Sequence, residues 1–96
     1  LTLDHPVFHQ NYDIEELVQV PNAPQAIAGG PTHERDGYLP AAYGILDDRG
    51  SLMVLIMHNT DLGDGWEHSD NPYFPLHMSN YAFKIGINAV IYAMTH

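Results

Sequence analysis

The sequence predicts an α/β chain in which a β-hairpin, an acidic loop and a closing helix follow one another. Two apolar runs separated by the turn residues Asp47-Asp48-Arg49-Gly50 predict the hairpin. Near the end of the chain, Tyr81, Ala82, Ile85, Ala89, Tyr92 and Ala93 recur at helical spacing and predict the helix. Between them, Asn59-Thr60-Asp61-Leu62-Gly63-Asp64-Gly65-Trp66-Glu67 concentrates acids, glycines and the single tryptophan.

Taken in order, residues 1–20 begin with the turn-prone Asp4-His5-Pro6 and read as an extended entry with a short helix around Asp13 to Val18. From Pro21 to Gly37 lie three of the seven prolines and three of the eight glycines, and no hydrophobic period survives, so 21–37 reads as an irregular loop. Loops of that length are uncommon inside compact domains, which marks this one as a functional surface or a segment packed on a partner. The hairpin spans about 38–58. Its second strand, Ser51 to His58, is apolar at both parities, the pattern of a strand covered on both faces. Two strands alone cannot provide that cover, so further strands are expected. The acidic loop occupies 59–75, punctuated by Pro72 and Pro75, and the helix runs from about 76 to 94. Ala82, Gly86, Ala89 and Ala93 share roughly one helix face, which suits close packing against a sheet.

Ninety-six residues with 45% apolar content fit one domain or part of one. Twelve Asp and Glu against Arg35, Arg49 and Lys84 give a formal charge of -9, a field that repels nucleic acid and acidic lipid. Seven histidines reduce that repulsion as pH falls through about 6.5. Cysteine is absent, which excludes disulfides, thiolate metal sites and a cysteine nucleophile within these residues. The longest apolar run, Leu52 to Met57, falls far short of the roughly 20 residues a membrane helix needs, so direct membrane insertion by this segment is not expected. A start at Leu1 and an end at His96 just behind an apolar helix suggest a larger parent polypeptide.

The acidic loop is the candidate site. It follows the carboxyl end of an apolar strand, where α/β sheets place ligands, and it carries His58, Asn59, Asp61, Asp64, Trp66 and Glu67 as candidate ligand or partner contacts. Carboxylates beside an imidazole can hold a divalent cation, with His58, Asp61, Asp64 and Glu67 as the donors. The spacing matches no calcium loop. The same residues also suit a structural role: Gly63 and Gly65 permit positive φ, Asp61 and Asp64 can bind nearby amides, and Trp66 can anchor on the core. Other constellations are weaker. His5 and His9 are separated by a Pro6 that disfavours helix, His33-Glu34-Arg35-Asp36 reads as a solvated charge cluster, and His68 and His77 lack a spaced partner. No G-x-S-x-G occurs, and Gly29-Gly30 is followed by proline rather than a phosphate-binding lysine.

The words Asp4-His5-Pro6-Val7-Phe8, Tyr12-Asp13-Ile14, Asp61-Leu62-Gly63-Asp64-Gly65-Trp66-Glu67, Ala82-Phe83-Lys84-Ile85-Gly86-Ile87-Asn88 and Tyr92-Ala93-Met94-Thr95-His96 resemble, in order and spacing, the bacterial domain of unknown function 4159 family. The resemblance implies the C-terminal part of a flavodoxin-like three-layer sandwich similar to class I glutamine amidotransferases and trehalose-utilisation proteins. It also implies earlier parallel strands preceding Leu1, and parent proteins that are exported, periplasmic or membrane-tethered. Amidotransferases use a cysteine nucleophile and a His-x-Glu pair, and this chain has neither.

These readings converge on a non-catalytic, amidotransferase-like binding or assembly module without a cofactor. Its partner would be another protein or the N-terminal half of the same domain. The alternative is a hydrolase of a sugar or peptide-like substrate, metal-assisted through His58, Asp61, Asp64 and Glu67.

Overall fold

The long C-terminal helix, Leu76–Thr95, is the axis on which the rest of the chain packs. In this computed structural model residues 1–33 and 39–96 are described; the Glu34-Arg35-Asp36 cluster and a strand start at Tyr38 lie outside them. A 3-10 turn, Pro6–Phe8, is followed by helix α1 (Ala23–Ala28), strands β1 (Ala41–Leu46) and β2 (Leu52–His58), helix α2 (Leu62–Glu67) and the long helix, α3. The chain is thus mixed α/β, with an antiparallel hairpin and a C-terminal helix.

The hairpin turn forms because the Asp47 carboxylate accepts from the amides of Arg49 and Ser51, while Gly50 takes the left-handed φ of 84° that side chains resist. Tyr43 pairs with Ile56 and Ile45 with Val54, after which a bulge skips Met53 so that Leu46 pairs with Leu52. The bulge returns Leu52 to the face of Ala42, Gly44, Leu55 and Met57, which packs inward; a Cβ on Gly44 would collide with the Leu52 side chain. The opposite face, Tyr43, Ile45, Val54 and Ile56, is exposed. The expectation of a strand covered on both sides therefore fails within the described residues, because the sheet has only two strands and its second layer is one-sided.

Two expected irregular segments contain helices. In the first, the Asn22 side chain caps the helix by accepting from the Gln25 amide, and its Nδ2 donates to the Gln25 side chain, with Pro24 in the first turn. Gly29, at φ 70°, ends that helix, and the Gly30 amide returns to Gln25 O at 2.8 Å. In the second, α2 arises from Leu-Gly-Asp-Gly-Trp-Glu, a sequence with two residues of low helix propensity. Conversely, the helix expected around Asp13 to Val18 is absent. That stretch is extended, with Asp13 bridged to His9 and Ile14 N bonded to Phe8 O at 2.8 Å.

What holds the extended entry is a single buried amide. Asn88 is fully buried on α3, where its Oδ1 accepts from the amides of Asn11 and Tyr12 at 3.1 and 3.0 Å and its Nδ2 donates to Tyr12 O at 2.8 Å. Three backbone groups that no strand serves are thereby satisfied. Val7, Phe8, Ile14, Val20, Ala23, Ala42, Leu62, Phe74, Tyr81, Ala82, Ile85 and Tyr92 make up the core around this contact. The Tyr92 hydroxyl completes the join to the hairpin by accepting from Leu52 N. No described helix is long and apolar enough to cross a membrane.

Candidate functional site

At the end of β2 the backbone turns sharply through Asn59, a buried residue with φ 57°, a left-handed conformation that asparagine tolerates better than most. The next residues are sewn to the strap 18–20: Val20 N donates to Thr60 Oγ1 at 2.8 Å, Asp61 N donates to Val20 O, and Gln19 Nε2 donates to Asn59 O. Thr60 and the Asn59 backbone, absent from any catalytic pattern, thus define where the acidic segment begins.

Each acid then has a distinct position. Asp61 stands at the N-cap of α2, its Oδ1 accepting from Asp64 N at 2.9 Å. Asp64 Oδ2 accepts from Ala23 N at 2.7 Å, so its carboxylate sits at the first turn of α1 and joins the two short helices. Glu67 and His68 lie at the exposed end, with Glu67 Oε2 3.9 Å from His68 Nε2. The donor atoms of Asp64, Glu67 and His68 all fall within 4.8 Å of one another. That grouping does not include Asp61 or His58. His58 instead lies on the outward sheet face, its ring edge-on to Tyr43 at 6.0 Å.

Trp66 is held at both ends. Its Nε1 donates to Ala82 O at 2.7 Å, and its six-membered ring covers Gly86 so closely that a Cβ there would lie 3.1 Å away. Gly65 is pressed against Ala82, with room for no side chain: a Cβ would come 2.7 Å from the Ala82 methyl. Of the small residues of α3, Ala82 and Gly86 therefore receive α2, while Ala89 and Ala93 lie beside Leu52, Met53 and Leu55 of the hairpin, so the expected packing against the sheet holds for the second pair only. Although anchored, Trp66 remains 43% exposed and forms one wall of an apolar groove with Phe83, Ile87, Val90 and Ile91.

The chemistry available follows from these contacts. Asp61 and Asp64 each spend an oxygen on a backbone amide, a structural use that fixes where their carboxylates sit. Asp64, Glu67 and His68 present two carboxylates and an imidazole, a donor set that suits a borderline divalent ion. His68 was invisible to spacing arguments because its neighbours come from α2, a helix whose sequence does not advertise it. The i, i+3, i+4 order of Asp64, Glu67 and His68 is the signal that a helical reading would have supplied.

A second polar region lies across the molecule, where the extended stretch from Asp13 to Val18 faces His77, Asn80, Tyr81 and Lys84 of α3. Burial pushes the Tyr81 hydroxyl above its ordinary pKa, with the Val18 backbone opposing and Glu16 adding to the shift. At the entry, the hydrogen bond that His9 donates to the Asp13 carboxylate, reinforced by one to the Leu3 carbonyl, raises the His9 pKa above 6.5.

Against families of known sequence, the model described as Domain of unknown function (DUF4159) matches residues 1–94. No curated protein and no solved structure matches the chain.

Proposed function

The chain belongs to the DUF4159 family, and on that premise we propose that it is a non-catalytic binding or assembly module whose outward sheet face is covered by further polypeptide. The observation that carries this reading is the face of Tyr43, Ile45, Val54 and Ile56, each between 42% and 53% exposed in one contiguous antiparallel patch. Exposed apolar patches of that kind mark interaction surfaces, since leaving them in water forfeits about 25 cal/mol for every Å². Cover by strands and helices from outside these residues, in the same protein or in a partner, would complete a flavodoxin-like, amidotransferase-like three-layer sandwich. His58 at the rim and Glu67 beyond it would be the polar contacts, while Asn59, Asp61, Asp64 and Trp66 hold the rim in shape.

Photocrosslinking in the native host tests this. A photoreactive residue replacing Ile56 is expected to give one discrete protein adduct or an intrachain crosslink, and the same residue replacing Asp48 in the hairpin turn is expected to give neither. Equal, diffuse labelling at both positions would overturn the proposal.

A second reading has its own observation, the convergence of Asp64, Glu67 and His68. It makes the module a metal-assisted hydrolase of a sugar or peptide-like substrate, with the ion polarising the scissile group. Calorimetric titration with zinc decides it: stoichiometric binding that disappears in His68→Ala supports the hydrolase, and absence of binding removes it.

A further inference from the structure

Helix α3 is apolar on two faces, and among the described residues only one of them is packed into the core. The inner face carries Tyr81, Ala82, Ile85 and Tyr92 into the core. The outer face carries Phe83, Ile87, Val90 and Met94, spaced four, three and four residues apart, the interval of a two-helix seam. These four are 42%, 39%, 59% and 80% exposed, and Trp66 flanks them. A helix with apolar residues all round is normally enclosed.

We propose that this seam binds a second copy of the chain, with the two α3 helices antiparallel. The order of the residues makes the seam complementary to its own reverse: about the midpoint between Ile87 and Val90, Phe83 of one copy meets Met94 of the other, and Ile87 meets Val90. Such an interface is isologous and closes at two copies.

Charge selects the same place. The chain carries a net -9, so two copies repel over most of their surfaces. Helix α3 has no Asp or Glu in its twenty residues, and its one charged side chain, Lys84, falls opposite Ala93 of the other copy rather than opposite itself. Asn80 lies beyond the overlap and keeps its water.

The area is sufficient for a weak dimer. At roughly 200 Å² for each large side chain, the exposed parts of Trp66, Phe83, Ile87, Val90 and Met94 offer on the order of 500 Å² per copy. The two copies together therefore approach the roughly 1,000 Å² that separates specific contacts from incidental ones. The association should accordingly depend on concentration in the micromolar range or above. It is carried by α3 and not by the outward sheet face, so it stands or falls apart from the function proposed above.

Sedimentation equilibrium of the 96-residue chain over a hundredfold concentration range provides the test. The apparent mass is expected to double with rising concentration, and Val90→Asp or Ile87→Asp is expected to abolish the rise while leaving the circular dichroism spectrum unchanged. Because the chain has no cysteine, an equimolar mixture of Ile87→Cys and Val90→Cys chains should oxidise to the mixed dimer well beyond the twofold excess over each homodimer that random pairing gives. A mass that stays monomeric throughout, a dimer that survives both aspartates, or a mixed crosslink at no more than that twofold excess would each overturn the proposal.

Discussion

The junction between α2 and α3 and the hairpin beside it use side chains in opposite ways. At the junction the residues are polar or small, yet almost every group is committed: Asp61 to an amide of α2, Asp64 to an amide of α1, Trp66 to a carbonyl of α3, Gly65 to a contact with no room for a methyl. On the outward face of the hairpin the residues are large and apolar, yet they touch little within the chain. Residue type alone would reverse the assignment, placing function in the acids and packing in the aliphatics. The difference teaches that a carboxylate is available for chemistry only after the backbone amides around it are served, and that an aliphatic residue is core only where a second layer exists.

That comparison breaks first where commitment is greatest. Asn88→Ala is expected to cost about 3 kcal/mol, because it leaves two part-buried amides and one carbonyl without their partner, at about 1 kcal/mol for each group. Urea unfolding would measure it, and a loss below about 1 kcal/mol would show that the entry segment does not depend on this side chain.

Gly65→Ala comes next, at about 2 kcal/mol, since the new Cβ would meet the methyl of a wholly buried Ala82, with the Val20 side chain and the Met78 carbonyl at 3.5 and 3.7 Å. Ile56→Thr on the hairpin is the matched contrast. It should leave urea stability within about 0.5 kcal/mol while weakening whatever association the outward face supports. Equal destabilisation by the two substitutions would erase the distinction between the regions.

The smallest effect is expected at the exposed entry, where His9 bridges Asp13 and the Leu3 carbonyl. Its folded pKa is raised, so protonation is tied to the folded state. The stabilisation is complete below about 6.5 and is lost as pH rises through the higher folded value. Urea midpoints measured from pH 5.5 to 8 should therefore fall more steeply for the parent chain than for His9→Gln, and superimposable slopes would remove the bridge from consideration.

Much of the fold was legible where local rules suffice. Asp47 to Gly50 announces a turn because aspartate caps free amides and glycine accepts positive φ, and the apolar spacing of α3 marks its bounds to within a residue. Helix α1 was missed, because the density of proline and glycine around Asn22 and Gly29 reads as an irregular loop and masks the Asn22 cap. Helix α2 was missed as well. Its two glycines oppose helix formation, and it exists because Leu62, Gly65 and Trp66 find a surface on α3 that the sequence brings near only after folding. In the same way Asn88, a polar residue at the apolar spacing of Ile85 and Tyr92, is buried with its amide paired to the backbone of a segment 76 residues away, a partner that no spacing names.

By itself, then, the sequence determined the hairpin, the long helix, the acidity and the absence of cysteine chemistry, all of which follow from local conformational preference or composition. Tertiary structure alone decided which acids remain open to solvent, which glycines are compulsory and which apolar faces are left uncovered. Those outcomes depend on close approach between segments far apart in the chain, and neither residue identity nor spacing encodes a distance.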